Sequence, residues 1–295
     1  MTDYEFNGAE DWQDVTARQS AMPDPETSDE TQENDRDWEL AKEHREIVSS
    51  MILASVQRKH GDICLLGAGP CNDVDLMPIV DHFNRVVMVD WDVASMRQGL
   101  ARQDVLADDR FIELLGTDLA GVKDLLDVYD RYPTPELMDQ LKEVAEHNNP
   151  DIESGKFSVV ASTCILSQLM LKIHECVPEK NEDFAHLMFN VRKRHLELML
   201  DCLSPGGIGL LITDFVSSDS LPEILTTDRL QQVLQKGIAE KNFFHGMNPQ
   251  RIHLTFGEDS VRQQIDSLEV TSPWRWQTWR RVYACMAFKF QKKAH

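Results

Sequence analysis

The sequence predicts an α/β protein, a three-layer sandwich whose mostly parallel seven-stranded sheet ends in an antiparallel C-terminal hairpin. Between residues 61 and 215, five short apolar runs alternate with segments of helical period. This alternation favours parallel strand pairing, with helices on both faces of the sheet and right-handed crossovers. Two further strand-like runs near the C terminus have no helix-length gap between them, so we expect them to pair antiparallel at the sheet edge.

The first three strand–helix units follow an N-terminal helix. Apolar residues form one broad helical stripe from Asp37 to Lys59, which predicts a helix packed beside the sheet. "DICLLGAG" predicts a short buried strand that ends at Gly67, and Asn72 or Asp73 can cap the next helix. "NRVVMVDWD" predicts the second strand, Val93 to Leu106 a return helix, and "RFIELLGTDLAG" a third unit.

The second half continues the pattern and then breaks it. A helical, proline-marked stretch over residues 121–154 precedes a fourth strand in "KFSVVASTCILSQL". The amphipathic segment from Asp183 to Leu203 predicts a long helix, and "IGLLITDF" after "SPGG" predicts a fifth strand closed by an acid. The runs "SLEVTSPWRWQTW" and "RRVYACMAFKF" predict the antiparallel pair.

We expect one domain behind an acidic leader. Residues 1–40 hold 13 acidic residues and two arginines, which is −11 of the net charge of −20. Burial of so few apolar residues would not offset the entropy of ordering, so we expect residues 1–35 to be disordered. The predicted domain, 36–295, divides into an N-terminal helix (36–60), a cofactor-binding core (61–215), a helical substrate-side segment (216–266) and the C-terminal strand pair (267–291).

Charge and cysteine content argue against several classes of protein. Beyond residue 40 the chain carries −9, the wrong sign for neutralising phosphates, so we expect no nucleic-acid partner. No apolar run approaches the roughly 18–20 residues of a membrane helix and no export signal opens the sequence, which predicts a cytoplasmic protein without a membrane partner. The six cysteines form no CxxC pair, which predicts buried reduced thiols.

Two glycines follow the first predicted strand, and an acid ends the second. Parallel sheets bind ligands at this carboxyl edge of their strands. In the loop Gly67-Ala68-Gly69 the glycines allow a ligand to approach the backbone closely, and the next helix offers free N–H groups. Asp90, 21 residues after Gly69, ends the second strand, where it can accept two hydrogen bonds from ribose hydroxyls.

The next strand ends complete the same predicted pocket. Asp118 follows the third strand and can accept a hydrogen bond from the exocyclic amine of a purine, while Trp91 and Leu119 can flank the ring. Ser162 and Thr163 end the fourth strand and face the space beside the first. Together these residues predict a pocket for an adenosine compound. Structural alternatives stay open, because either strand-end acid can cap the following helix and the two hydroxyl residues can simply end their strand.

The loop chemistry disfavours a dinucleotide. The loop lacks the third glycine of a dinucleotide site and runs Gly67-Ala68-Gly69-Pro70-Cys71-Asn72-Asp73. A carboxylate beside the helix start repels pyrophosphate and attracts an ammonium group. The sequence also contains no Tyr-x-x-x-Lys pair and no GxxxxGK[ST] phosphate loop.

The ordered set "LLGAGPCNDVDL", "VVMVDWD", "GTDL", "VVASTCILSQL" and "LSPGGIGLLITDF", closed by the hairpin, resembles the Rossmann-like (class I) S-adenosylmethionine-dependent methyltransferases. The resemblance covers about residues 60 to 290 and rests on the order and spacing of the five motifs. It implies S-adenosyl-L-methionine as the cofactor and S-adenosyl-L-homocysteine as its product. The implied positions are Gly67 and Gly69 under the methionine end, Asp90 at the ribose, and Asp118 with Leu119 at the adenine.

The chain departs from that family at the glycine loop. Leu65 and Leu66 stand where the family usually has an acid before the first glycine, and a third glycine is missing. Asn72 and Asp73 follow instead, so the resemblance leaves Asp73 as the candidate for holding the amino group of the cofactor.

The resemblance implies direct in-line methyl transfer, and the negative charge of the chain favours a small-molecule acceptor as partner. Such a transfer needs alignment, a desolvated pocket and, for a protonated acceptor, a base. No Asn/Asp-Pro-Pro-Tyr/Phe motif follows the fourth strand, which argues against methylation of a nucleic-acid base. Aromatic residues in segments such as "PWRWQTW" can box a cationic or aromatic acceptor, although core packing is the more frequent use of such residues.

The catalytic residues stay open at this point, with His245 and His174 as weak candidates for a base. His174, Glu175 and Cys176 lack the spaced partners of a metal site, so we expect no metal. Two other functions remain alternatives: a catalytically retired member of the fold that acts as a binding or regulatory protein, and an NAD-type oxidoreductase. The oligomeric state is left open.

Overall fold

The computed structural model describes residues 36–56, 61–105 and 112–294, so the predicted acidic leader, residues 1–35, lies outside the described residues. The helices are α1 Lys42–Ala54, α2 Leu76–His82, α3 Val93–Arg102, α4 Lys123–Arg131, α5 Pro135–His147, α6 Ile165–Cys176, α7 Phe184–Cys202, α8 Leu230–Ala239, α9 Pro249–Thr255 and α10 Asp259–Arg262, with a 3-10 turn at Pro222–Leu225. The strands are β1 Asp62–Leu66, β2 Arg85–Asp90, β3 Ile112–Gly116, β4 Phe157–Thr163, β5 Leu203–Ser217, β6 Ile265–Val270, β7 Trp274–Gln277 and β8 Val282–Lys292.

The strand order confirms the predicted α/β sheet. It runs β3-β2-β1-β4-β5-β8-β6, with β7 paired to β8 as well. β1 to β5 pair in parallel, whereas β8 is antiparallel to β5, and β6 and β7 are antiparallel to β8. The sheet has eight strands rather than the predicted seven, because "SLEVTSPWRWQTW" divides into β6 and β7 around Pro273, which has no N–H for the ladder.

The sheet is buried on both faces, which explains its nearly continuous apolar strands. Alternate residues of β1 show the division: Cys64 and Leu66 belong to one buried cluster, and Ile63 and Leu65 to the other. The first cluster includes buried residues of α4 to α7, and the second includes those of α1 to α3. Three layers result, as the sequence predicts.

The chain reverses its direction across the sheet at β1. From β1 it moves outward through β2 to β3, and it then returns to the opposite side of β1 as β4. The carboxyl ends of β1 and β4 therefore flank the topological switch point, where open α/β sheets bind their ligands.

Two predictions about composition can be compared with the structure. All six cysteines are free and buried, as predicted. Within residues 36–56, 61–105 and 112–294, none of the helices combines the length and the apolar character that a bilayer crossing requires.

Candidate functional site

The glycine turn after β1 is held close to its neighbours. Gly67 has a φ of +74° and Gly69 a φ of +43°, in the left-handed region that favours glycine. Gly67 donates its N–H to the carbonyl of Val89 in β2 at 2.8 Å, and Ala68 beside it is buried. A Cβ at Gly67 would lie 2.3 Å from Cβ of Ile165, the first residue of α6. Glycine is therefore required here by both conformation and space.

Asp90 joins this turn to the end of β2. Its Oδ2 accepts the N–H of Gly69 and its Oδ1 the N–H of Asp92, each at 3.0 Å. Burial raises the pKa of the Asp90 carboxyl, and the same backbone N–H groups oppose that rise. Asp92, not Asp90, caps α3, because it accepts the N–H of Ser95 at 2.9 Å. The capping alternative for Asp90 is therefore wrong.

Asp118, in contrast, binds backbone N–H groups at and just before the start of the helix that follows it. Its two carboxylate oxygens accept the N–H groups of Ala120 at 3.0 Å and of Lys123, the first residue of α4, at 2.8 Å. The capping role that the sequence left open is thus present. An adenine amine would have to use the remaining lone pairs of these oxygens.

Four of the predicted residues line one narrow cleft between β2, β3 and α6. Its lining consists of Asp90, Trp91, Thr117, Asp118, Leu119, Ile165 and Leu169. The cleft has a volume of about 20 Å³, room for roughly one water molecule. Ligand pockets usually measure about 300–1,000 Å³, so a nucleoside requires the cleft to widen. Trp91 is 60% exposed and therefore lies at the entrance rather than in the core.

A larger cavity of about 380 Å³ lies elsewhere, beside the C-terminal end of α6. Its lining consists of Tyr129, Asp130, Pro133, Cys176, Pro178, Lys180 and Asn181. None of these residues ends a strand, so the larger cavity does not share the switch-point position of the narrow cleft.

The structure corrects the prediction that Asn72 or Asp73 caps α2. Asn72 Oδ1 accepts a hydrogen bond from Arg102 at 2.8 Å, and Asp73 Oδ1 lies 3.1 Å from Nε2 of His44. Asp75 is the N-cap residue of α2 and makes no side-chain capping bond. Both predicted caps point away from the helix because more distant side chains bind them.

The N-terminus of α2 is not free for a phosphate. Leu76, its first residue, donates its N–H to Oε1 of Gln103 at 2.8 Å, and Asp75 donates its N–H to the hydroxyl of Ser49 at 2.8 Å. These bonds occupy the donors that a pyrophosphate would need. The geometry thus agrees with the loop sequence in disfavouring a dinucleotide.

Ser162 and Thr163 have different positions at the end of β4. Ser162 is fully buried, and its Oγ lies 2.7 Å from Nε2 of His195 in α7. Burial lowers the pKa of His195 to about 4, so this imidazole is neutral at pH 7. Ser162 is thus a core residue that does not line the cleft, whereas the Thr163 hydroxyl lies 3.4 Å from the carbonyl oxygen of Gly67 in the glycine turn.

A second buried carboxylate lies in β5, three residues before the strand ends. Asp214 is 4% exposed, and its Oδ1 accepts the hydroxyl of Ser167 at 2.5 Å. Burial raises the pKa of Asp214 to about 6. Tyr283 in β8 has a raised pKa for the same reason, with the charge of Asp214 adding to the effect. Cys164, between β4 and α6, has a φ of +51°, which is unusual for a non-glycine residue and typical of functional sites.

An aromatic stack adjoins this carboxylate. The ring of Trp276 in β7 lies between His44 and Tyr283, with both centroid distances at 4.9 Å. Trp274 donates its indole N–H to Nδ1 of His44 at 3.0 Å, so the proton of the imidazole is on Nε2 and faces Asp73. Among the described residues, the buried indole N–H of Trp276 has no hydrogen-bond partner.

Sequence reasoning located part of this region. It predicts the acid that closes the fifth strand and names "PWRWQTW" as a segment that can box an acceptor. His44 gave no signal because its position in α1 has a polar, surface-like neighbourhood. Ser167 and Cys164 were not singled out for the site either. Their roles depend on contacts between distant parts of the chain.

The two candidate bases, His174 and His245, lie together. Their rings stack with centroids 3.8 Å apart, and both approach the carboxylate of Glu179. Burial, followed by the charge of His174, lowers the pKa of His245 to about 4. His174 lies in the last turn of α6, roughly 13 Å of helix rise beyond Ile165 at the cleft. This geometry pairs the two histidines with Glu179 rather than with the strand ends.

No protein-family model and no curated protein matches this chain. Among solved structures it is similar to the N-methyltransferase NodS from Bradyrhizobium japonicum WM9 in complex with S-adenosyl-L-homocysteine, at 11% identity and a TM-score of 0.44 over 90% of this chain and 93% of that chain. A SAM-dependent methyltransferase from Methanosarcina mazei is similar at 11% identity and a TM-score of 0.47, over 83% of this chain and 98% of that chain. At such values the activity has to be argued from the residues of this chain.

Proposed function

We propose that this protein is an S-adenosylmethionine-dependent methyltransferase that acts on a small-molecule acceptor. One observation carries the proposal: Asp90 connects the end of β2 to the glycine turn after β1, beside the switch point, through the N–H of Gly69. A buried carboxylate in this position can accept hydrogen bonds from both hydroxyls of a ribose. The same cleft contains apolar side chains for a purine ring.

The residues present fit an adenosyl group in their chemistry. Asp90 would hold the ribose, and Leu119, Ile165 and Leu169 would contact the base. Asp73 would accept the ammonium group in addition to His44, since a carboxylate offers about four acceptor positions. Binding would require the cleft to open. Trp91 is the exposed residue of its lining, so its side chain would move most easily.

When bound, S-adenosylmethionine supplies a methyl group on a positively charged sulfur. The protein itself aligns the acceptor, excludes water and takes up a proton where the acceptor carries one. Asp214 is the candidate base, because a carboxyl with a pKa of about 6 is mostly ionised at pH 7 and is still basic enough to accept a proton. The indole N–H of Trp276 supplies a donor for a polar atom of the acceptor.

Calorimetry of the full chain tests the cofactor. We expect S-adenosylmethionine and S-adenosylhomocysteine to bind and NAD to give no heat of binding. Binding of NAD without binding of either sulfur compound would reject the proposal in favour of an oxidoreductase. Equal affinity for adenosine alone would show that the loop near Asp73 makes no contact with the amino acid part.

A turnover measurement distinguishes an enzyme from a catalytically inactive member of the fold. The protein is incubated with S-adenosylmethionine and panels of amines, phenols and thiols, and the release of S-adenosylhomocysteine is measured. We expect activity in one chemical class, with a cytoplasmic small molecule as the acceptor. Cofactor binding with no turnover in any class would instead support a binding or regulatory role.

A further inference from the structure

Three possible metal ligands lie together beside the C-terminal end of α6, away from the narrow cleft. His174 lies in the last turn of α6, Glu179 in the loop that follows, and His245 in the loop between α8 and α9. Glu179 Oε1 lies 3.6 Å from Nδ1 of His174 and 3.3 Å from Nε2 of His245. One ligand atom from each residue falls within 4.8 Å of the other two.

Hydrogen bonding does not account for this arrangement. The separation of 3.6 Å between Nδ1 of His174 and Oε1 of Glu179 is too long for a hydrogen bond. Both atoms are buried, and within the described part of the chain neither has a hydrogen-bond partner. Buried polar atoms are almost always satisfied, so these two point to a group that would lie between them.

Two of the three separations, both measured from Oε1 of Glu179, match those of ligands around one metal ion. Ligand atoms about 2.0–2.2 Å from a tetrahedral Zn²⁺ lie roughly 3.3–3.6 Å from one another. The observed distances of 3.3 and 3.6 Å fall in this range. Two imidazoles and one carboxylate are also a donor set that Zn²⁺ and related ions favour.

The three side chains of the cluster are only partly buried. The side chains of His174, Glu179 and His245 are 19%, 26% and 16% exposed, although the ligand atoms of the first two are buried. The cluster therefore lies near the surface, with its ligand atoms turned inward.

A second cluster, His44 with Asp73 and Cys164, also brings three possible ligands together. There Nε2 of His44 is within 3.1 Å of Asp73, and Nδ1 accepts the indole N–H of Trp274. With both nitrogens in hydrogen bonds, this imidazole has no lone pair left for a metal. The two clusters therefore differ in the property that metal binding requires.

We propose that His174, Glu179 and His245 bind one divalent transition-metal ion, for which Zn²⁺ is the probe. The ion ties the loop that carries His245 to the end of α6, the helix whose first turns line the cleft through Ile165 and Leu169. This inference goes beyond the proposed function and does not rest on it.

The test is a titration of the full chain, free of any histidine tag and stripped of metal with a chelator. Zn²⁺ binding is measured by calorimetry and the thermal midpoint of unfolding by circular dichroism. We expect about one equivalent of Zn²⁺ to bind and to raise the midpoint, because a ligand of the native state stabilises it.

Paired variants locate the ion. His174→Ala with His245→Ala should lower the affinity for Zn²⁺ by about 100-fold or more, since only one ligand remains. The matched control combines His82→Ala and His147→Ala, two exposed histidines that each contact a carbonyl one helical turn earlier. This control should bind Zn²⁺ like the natural chain.

Two further variants, Glu179→Gln and Cys164→Ser, complete the test of the site. Glu179→Gln removes the charge at constant volume, so it tests the site even where the double variant fails to fold. Unchanged affinity in Glu179→Gln, or no binding of Zn²⁺ by the natural chain, overturns the proposal. Loss of binding in Cys164→Ser with retention in the double variant overturns it as well, because the ion would then belong to the His44 cluster.

Discussion

Asp90 and Asp214 are two buried carboxylates near the carboxyl ends of parallel strands, on opposite sides of the switch point, and their partners differ. Asp90 accepts backbone N–H groups of Gly69 and Asp92, which oppose the effect of burial on its pKa. Asp214 accepts the hydroxyl of Ser167, and burial raises its pKa to about 6. Burial raises the pKa of both carboxyls, to about 6 for Asp214, whereas the backbone N–H groups bound to Asp90 favour its charged form.

This difference assigns the two acids different tasks in the proposed function. A carboxylate held by backbone donors suits the binding of neutral ribose hydroxyls, and a carboxyl that titrates near pH 6 suits proton uptake.

The largest effect is expected for Asp214→Asn. Loss of a general base lowers kcat by about 100-fold or more, while affinity for S-adenosylmethionine stays within about twofold because the amide retains the volume. Steady-state kinetics on the acceptor found in the panel, together with calorimetry, measure both quantities. A kcat unchanged by the substitution would remove Asp214 from the reaction.

Gly67→Ala should have the next largest effect, on stability. The new methyl group meets Ile165 and the backbone has a positive φ, so we expect a loss of about 2–4 kcal/mol of unfolding free energy. Gly155→Ala is the matched control, because Gly155 has a φ of +69° and open space around it. The control should lose about 1–2 kcal/mol in urea unfolding. Equal losses in the two variants would mean that the close approach to α6 contributes nothing.

Asp90→Ala should weaken binding of S-adenosylmethionine by about 1.5–3 kcal/mol, since a charged acceptor is lost. The comparison variant is Asp92→Ala, which removes the cap of α3 and should lower stability by about 1 kcal/mol. Its affinity for the cofactor should not change. Calorimetry that shows the same affinity for Asp90→Ala as for the natural chain would place the ribose elsewhere.

The smallest effect concerns pH. The pKa of Asp214 is raised to about 6 in the folded chain and is close to 3.9 when unfolded, so the folded state binds the proton more tightly. Stability from this group is therefore present at low pH and is lost as the pH rises through about 6. Between pH 5 and pH 7.5 the natural chain should lose about 1.4 kcal/mol relative to Asp214→Asn. Parallel pH profiles for the two proteins would show that the carboxyl does not titrate there.

The local parts of the site were largely predictable. The φ values of Gly67 and Gly69 and the position of Asp90 at the end of β2 follow from a short apolar strand, a glycine pair and an acid at fixed spacing. Asp118 was ambiguous for a physical reason: a carboxylate just before a helix satisfies its N–H groups and can face a ligand as well. Ser162 was ambiguous in another way, because strand register decides whether a residue faces the cleft or His195.

The alternation of strands and helices, the parallel core and the antiparallel edge were predicted from the sequence alone, because apolar periodicity and turn residues act over a few neighbouring positions. The spatial order of the strands came from the tertiary structure. The second carboxylate site and the histidine cluster were decided only by tertiary structure. Trp274 and His44 are 230 residues apart, and His245 lies far along the chain from Glu179. No local pattern encodes such contacts, since they exist only after the layers have packed.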